Sequence, residues 1–488
     1  MKRSTVFLES LAVVAVIVTI YSLLPLASTL QFGGDEGYNL ITALLMTKGY
    51  VLYDQIWQDQ PPLPVLILKW AFKLFGPSVF IARLIAAGFG LLLFTTFFQL
   101  VRQRTDRITA YIAVFFLLAA PIVLELSISV MPEVPAFAVG LSSVFLLFQW
   151  RDKLERGWLI ASGMVMGIAF GIKLTPALLV PALVVEIILG IQQAKPKSWI
   201  KSGMIALLLW IACAGLVFAA ITFIWGRGSG QMSWKSHFAE QSVPGFPRPE
   251  DLALTSTVFL SHWEGFVTTI CGLILIAVRR RWRDFAFPIV LLTTMLLVHE
   301  FHHPWWLYYY LHFAIPIAWL GSFPVSEGIA LLVRPAERKE RKGLKPRVQK
   351  LLWLSLLAAV PLVWTAKRLK VEVTSLQNRQ KTDSDPIIAK MREHAPATRW
   401  VYVQFDNEIY AFQSHLLMPP ELAMVSMKRF WSGQISTEEI IATCCRYQPG
   451  QILLHQNTVT AEWMSFLTDY ELVYQDKTFN LYTRKIRQ

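Results

Sequence analysis

Apolar runs interrupted by short charged loops dominate the first three quarters of the chain. A membrane span needs about 20 predominantly apolar residues, with a lower limit near 17. Eleven runs come near this length: 6–28, 79–100, 108–124, 134–150, 158–172, 174–190, 203–225, 263–278, 285–299, 305–323 and 351–366. The fifth and sixth are separated only at Ile172-Lys173. The first follows Met1-Lys2-Arg3 without a small-residue cleavage site and reads as an uncleaved span.

Two segments break this rhythm. Between the first two spans, residues 29–78 form a long loop. Within it LPVLILKWAFKLF (63–75) is apolar and helical in pattern, and Gly76-Pro77 ends it. Thirteen residues reach only about 20 Å, short of a hydrocarbon core of about 30 Å. Lys69 and Lys73 share one face, and Trp70 suits an interface, so this helix is expected to lie flat on the outer leaflet. The stretch 36–48 is a second candidate of the same kind. After 366 the chain turns polar, and strand-like runs at 400–405, 451–455, 471–475 and 480–484 alternate with helical stretches such as 436–446. That alternation predicts a small α/β domain.

Composition agrees with the pattern. Hydrophobic residues make up 54% and charged residues 16%, with a mean hydropathy of +0.45. A soluble chain carries about 25% charge, so soluble, fibrous and disordered classes are excluded. The net charge of +13 is explained by topology. If the loops alternate sides, one set holds 23 Lys and Arg and the other 7. The positive-inside rule then puts the N-terminus in the cytoplasm and 366–488 outside the plasma (inner) membrane. No nucleic-acid partner is implied. The four cysteines, Cys213, Cys271, Cys444 and Cys445, form no disulfide framework and read as small buried hydrophobes.

The acids of most interest are Asp35 and Glu36, in Gly33-Gly34-Asp35-Glu36-Gly37-Tyr38 just after the first span. Asp35 is well suited to cap a helix starting at Glu36. Its place at the outer mouth of the bundle makes it equally a candidate base.

Here the sequence resembles a family. Asp-Glu after the first span, followed by Tyr53-Asp54 and Asp59-Gln60-Pro61-Pro62-Leu63, resembles the GT-C membrane glycosyltransferases, in particular the protein O-mannosyltransferase and aminoarabinose-transferase group. The likeness continues through Arg83, Met131-Pro132-Glu133-Val134-Pro135, Gly171-Ile172-Lys173-Leu174-Thr175 and His303-Pro304-Trp305-Trp306-Leu307-Tyr308, covering most of 1–323. One position departs: relatives often carry Lys or His before the Pro-Pro pair, where this chain has Gln60, which makes Asp59 the stronger polar contributor there.

The resemblance implies transfer of a hexose or pentose from a polyprenyl-phosphate donor to a hydroxyl of a lipid, glycan or protein at the outer face, with inversion. It implies Asp35 and Glu36 as catalytic residues. Lys173, Asp59, Gln60 and Arg83 would face the donor and its phosphate. Glu133, Tyr53, His302, His303 and Tyr308 would face the sugar or acceptor. Such chemistry needs a base for the hydroxyl and a cation for the departing phosphate. No metal or cofactor is required, although a divalent ion near Asp35 and Glu133 is compatible. Lys173 also reads as a snorkelling interfacial lysine, Glu133 as a solvated loop acid and Arg83 as structural.

Two other classes compete. His299-Glu300-Phe301-His302-His303 matches the zinc-protease pattern H-E-x-x-H, but Pro304 pushes His303 out of helical geometry, and the motif works only on a helix. Intramembrane Glu186 suggests a transporter or lipid-sugar flippase, although it lies near the cytoplasmic end of its span. The expected architecture is an all-α polytopic membrane domain over 1–365, GT-C-like, with about eleven spans and outer-face amphipathic helices. A small extracytoplasmic α/β domain over 366–488 completes it.

Overall fold

The structure, a computed structural model, describes residues 3–194, 196, 198–228, 260–302, 305–333, 344–395, 398–426, 429–430 and 433–485. Its helices follow the apolar runs: α1 (Arg3–Ser22), α2 (Glu36–Thr47), α3 (Leu63–Phe75), α4 (Val79–Arg104), α5 (Arg107–Leu118), α6 (Val123–Leu126), α7 (Glu133–Lys153), α8 (Arg156–Ile172), α9 (Val180–Ala194), α10 (Trp199–Trp225), α11 (Trp263–Arg279), α12 (Ala286–Phe301), α13 (Tyr310–Val333) and α14 (Leu344–Gln377). Each of the eleven expected runs overlaps a helix. Among the described residues, five stretches are long and apolar enough to cross a membrane: Val79–Arg104, Glu133–Lys153, Thr175–Ala194, Trp199–Trp225 and Leu307–Leu331. This is a multi-pass membrane protein.

Local chemistry sets the breaks. The expected run 108–124 is divided, because α5 stops at Leu118 and the chain reaches α6 through Pro121 and a left-handed Ile122 (φ 62°). The junction at Lys173 is confirmed: α8 ends at Ile172, Lys173 is extended (φ −158°), and a 3₁₀ turn, Thr175–Leu179, leads into α9. Glu186 is buried in an ion pair with Arg151 (2.5 Å). Of the cysteines, Cys444 is buried but Cys445 is exposed.

The polar C-terminal part folds as expected. Strands β1 (Val401–Val403), β2 (Gln451–His455), β3 (Tyr470–Gln475) and β4 (Phe479–Arg484) form one sheet in the order β1-β2-β4-β3. β1 and β2 are parallel, with Tyr402 opposite Ile452, and β2 and β4 antiparallel, with Leu453 opposite Leu481. Helices α15 (Pro386–Glu393), α16 (Glu408–Gln413), α17 (Thr437–Tyr447) and α18 (Ala461–Phe466) accompany them. Ser436 and Glu439 form a capping box that starts α17.

Helix α14 runs unbroken through 365 to Gln377, so the compact C-terminal unit begins after it. The chain is then pinned to the first outer loop by Leu30 N to Gln380 O (2.8 Å) and Thr382 N to Ser28 O (2.9 Å). Hydrophobic burial divides the molecule differently from the sequence. One core fills the helix bundle, and a second joins residues of the outer loop, such as Leu40, Leu45, Val65 and Phe72, to Ile387, Val401, Phe412 and Leu453 of the C-terminal unit. Phe72 and Phe412 meet at 5.6 Å between ring centres.

The two outer helices therefore have different surroundings. α3 buries Val65, Leu68 and Phe72 but leaves Trp70, Leu74 and Phe75 exposed, the amphipathic pattern expected of an interfacial helix. α2 was expected to lie on the leaflet in the same way. Instead it is buried from Glu36 to Met46, and it packs on α3 and α16.

Gly37 makes this packing possible. A Cβ there would lie 2.5 Å from the backbone nitrogen of Ile409 and 3.0 Å from the carbonyl carbon of Glu408. Backbone atoms cannot rotate away. Gly37→Ala is therefore expected to cost about 1–3 kcal/mol, the usual penalty of overpacking, and to lower the thermal unfolding midpoint of the purified protein. Gly34→Ala, where a Cβ meets nothing within 4 Å, is the matched control with no such loss.

Candidate functional site

The segment between α1 and α2 is fixed by a buried ion pair. Arg83 of α4 donates Nε to Glu36 Oε1 (2.9 Å) and Nη2 to Glu36 Oε2 (2.7 Å), and both side chains are wholly buried. The remaining guanidinium protons go to backbone carbonyls of the loop: Leu26 and Thr29 at 2.8 Å from Nη1, and Leu30 at 3.2 Å from Nη2. Glu36 also accepts from the amides of Phe32 (3.1 Å) and Val130 (3.3 Å). All five guanidinium donors are used, and each carboxylate oxygen accepts twice. Neither residue lines the cavity described next, and the arrangement agrees with the structural reading of Arg83. Their geometry is that of a clamp.

Asp35, one residue before the clamp, stands at the N-cap position of α2, yet its side chain makes no capping hydrogen bond. It faces a cavity of about 330 Å³ together with Gly34, Tyr38, Asn39, Gln58, Asp59, Gln60, Lys173, Tyr308 and Asp406. Burial pushes the Asp35 carboxyl up to about 6, with Asp406 and Asp59 reinforcing the effect and Lys173 opposing it.

Lys173 is held by two partners. Its ammonium is ion-paired with Glu133, the first residue of α7, and lies 4.8 Å from the ring centre of Tyr308. Glu133 is fully buried, so it is an ammonium partner and not the solvated loop acid that its position also suggested. Gln60 Nε2 donates to Asp59 Oδ1 (3.2 Å). Tyr53, expected to face sugar or acceptor, lies off the cavity and donates its hydroxyl to the Gln60 carbonyl (2.7 Å), bracing the segment that carries Asp59.

The described part of the histidine motif leaves the helix before its end. α12 ends at Phe301 and His302 is already extended (φ −96°, ψ 116°), while His303 lies outside the described residues. His299 instead contacts His312 Nδ1 through Nε2 (3.1 Å). His302 packs near Tyr309 and is not among the cavity residues. Among the described residues no group of three His, Cys, Asp or Glu side chains is placed to hold a metal.

Sequence reasoning missed several cavity residues: Tyr38, Asn39, Gln58, Trp306, Tyr309 and, from the C-terminal unit, Asp406, Met424 and Ser426. Tyr38 had a readable signal, standing one helical turn after Asp35. Asp406 had none, because its approach depends on how the two outer segments pack.

Comparison with known proteins follows from this geometry. Residues 59–225 match the family model for dolichyl-phosphate-mannose-protein mannosyltransferase. ArnT from Cupriavidus metallidurans bound to undecaprenyl phosphate is similar over 99% of this chain and 98% of that one, with a TM-score of 0.63 at 15% identity. Its apo state gives 98% and 97%, with a TM-score of 0.64 at 14% identity. The apo oligosaccharyltransferase of Archaeoglobus fulgidus is similar over 94% of this chain and 71% of its own, with a TM-score of 0.56 at 12% identity. A sequence comparison with curated proteins gives no match. Residues 59–225 are thus similar to that mannosyltransferase family, and the whole chain shares the fold of ArnT.

Breaking one side of the clamp leaves an uncompensated charge in a dry site. Glu36→Gln and Arg83→Met are each expected to destabilise the protein by about 3–5 kcal/mol. Replacing both removes the charges but takes the guanidinium from three carbonyls and leaves an acceptor oxygen for only one of the two amide sites, so the double variant should not regain wild-type stability. Thermal unfolding of the three variants in detergent checks both statements.

Proposed function

We propose that the protein transfers a sugar from a polyprenyl-phosphate donor to an acceptor hydroxyl at the outer face of the membrane. The observation that carries this reading is a carboxylate and a cation lining one cavity: Asp35, whose side chain makes no capping hydrogen bond, and Lys173, an ammonium held in place by Glu133. The neighbour solved with undecaprenyl phosphate supports the choice of carrier. The 23 to 7 division of basic residues supports an outward-facing C-terminal unit in the plasma membrane.

In this mechanism the acceptor oxygen attacks the anomeric carbon as the bond from that carbon to the phosphate oxygen breaks. The hydroxyl proton passes to the Asp35 carboxylate, and the bonding electrons leave with the phosphate, whose growing charge meets the Lys173 ammonium. A single displacement from the face opposite the phosphate inverts the anomeric centre. Glu36, Arg83, Glu133 and Tyr53 act by holding these groups. Asp59, Gln60 and Tyr308 line the cavity where sugar hydroxyls are bound. A transporter or flippase needs no base, so loss of Asp35 would leave its activity intact.

Asp35→Asn preserves shape and removes the basic lone pair. It is expected to fold and bind undecaprenyl phosphate normally, with turnover down about 10²–10⁴-fold in a panel assay of labelled polyprenyl-phosphate sugars. Transfer within a few-fold of wild type would sink the mechanism. Because the base must be ionised and its carboxyl titrates at about 6, wild-type kcat/KM should fall as pH drops through that value.

Lys173→Ala removes a charge-assisted contact to phosphate worth ~1.5–3 kcal/mol, about 10–150-fold in affinity. Titration with undecaprenyl phosphate measures it directly. Lys173→Arg should retain part of the affinity.

A further inference from the structure

The C-terminal unit does more than cover the cavity. Asp406 sits on the turn between β1 and α16, with left-handed backbone (φ 64°), and it reaches the same cavity as Asp35. Its position is fixed through α2. The Tyr38 hydroxyl donates to Asp406 Oδ1 and accepts from the Asp406 backbone nitrogen (3.0 Å). Tyr38 is buried and stands three residues after Asp35, within the first turn of the same helix. The close seat of Ile409 on Gly37 locks the two segments in this register. Two carboxylates from distant parts of the chain are therefore held near one another on a rigid support.

We propose that Asp406 is a positioning residue of the transfer reaction: the C-terminal unit brings a second carboxylate into the cavity beside Asp35 and so sets the proton affinity of that base. The inference rests on the reading of Asp35 as the base. Like charges that face one another across a cavity make one of them hold its proton more tightly. The other groups facing Asp35 are Lys173 from the α8–α9 turn, Asp59 from the outer loop, Tyr38 on its own helix, Tyr308 and Tyr309 before α13, and Glu408 behind Asp406. Lys173 opposes Asp406 in this set, and its charge is already matched by Glu133. Desolvation raises the Asp406 carboxyl above its ordinary value, and the Tyr38 hydroxyl and His455 partly offset that rise, so Asp406 carries its charge at the upper end of the pH range. A base strengthened in this way stays ionised at neutral pH and accepts a proton more readily than a solvated aspartate does. Docking of the C-terminal unit is thereby felt in the chemistry.

The test needs no knowledge of the natural sugar. The full-length protein in detergent is treated with a hydrophobic carbodiimide, which reacts with protonated carboxyls, across about pH 4–8. Labelling of the Asp35 peptide is followed by mass spectrometry. Wild type should show a midpoint near 6. Asp406→Asn should lower it by roughly one pH unit, the size expected from a like-charged neighbour, and Lys173→Gln should raise it. Asn tolerates left-handed backbone, so the fold is kept. An unchanged midpoint in Asp406→Asn overturns the proposal, as does a wild-type midpoint at the value of a solvated aspartate. The base role of Asp35 is read separately, from transfer by Asp35→Asn. A coupled Asp35 that is not the base and a base that is not coupled thus give different pairs of results.

Discussion

The Glu36–Arg83 pair is the constraint on which the rest of the site depends. Two opposite charges without access to water are tolerable only when every lone pair and proton is used, and here all are. The pair draws on α4, the carbonyls after α1, the amide of Phe32 and the amide before α7. The loop between α1 and α2 cannot move without leaving some of these groups unpaired. Its rigidity fixes the direction of Asp35. A carboxylate at a helix N-terminus would ordinarily fold back to cap the helix, and this one points into a cavity instead.

A second constraint joins the membrane bundle to the polar unit. The outer loop is too apolar to stand in water and too short in its helical parts to cross a bilayer. It resolves this by sharing a core with the C-terminal sheet and helices. α2 is buried on all sides as a result, and the backbone of α16 comes within reach of Gly37, where a side chain would not fit. The cavity lies along this seam. Its floor comes from the bundle, through Met131, Pro132 and Lys173, and part of its wall from Asp406, Met424 and Ser426.

The charges around the cavity have a consistent logic. Lys173 is kept close to Glu133 and to the face of Tyr308, an arrangement that stabilises an ammonium out of bulk water while leaving it beside the cavity. The carboxylates face the same space from three separate segments, those of Asp35, Asp59 and Asp406. Each of these charges is felt by the others across the cavity.

Much of this was legible in the sequence. The apolar runs, the junction at Lys173, all four strands and the interfacial face of α3 follow from periodicity and local residue chemistry, which depend on near neighbours along the chain. Asp35, Lys173, Asp59, Gln60 and Tyr308 were also recoverable, because a motif and a resemblance mark them. A structural Arg83 was among the readings, but its partner Glu36 was not, since nothing along the chain says that residues 47 apart saturate one another's hydrogen bonds. Nor was Asp406, 368 residues from the Tyr38 that holds it. The sequence by itself determined which segments are apolar, which are polar and where each turns. Only the tertiary structure decided which charged groups are buried as partners and which are left facing the cavity, because that outcome depends on packing between segments and not on their order.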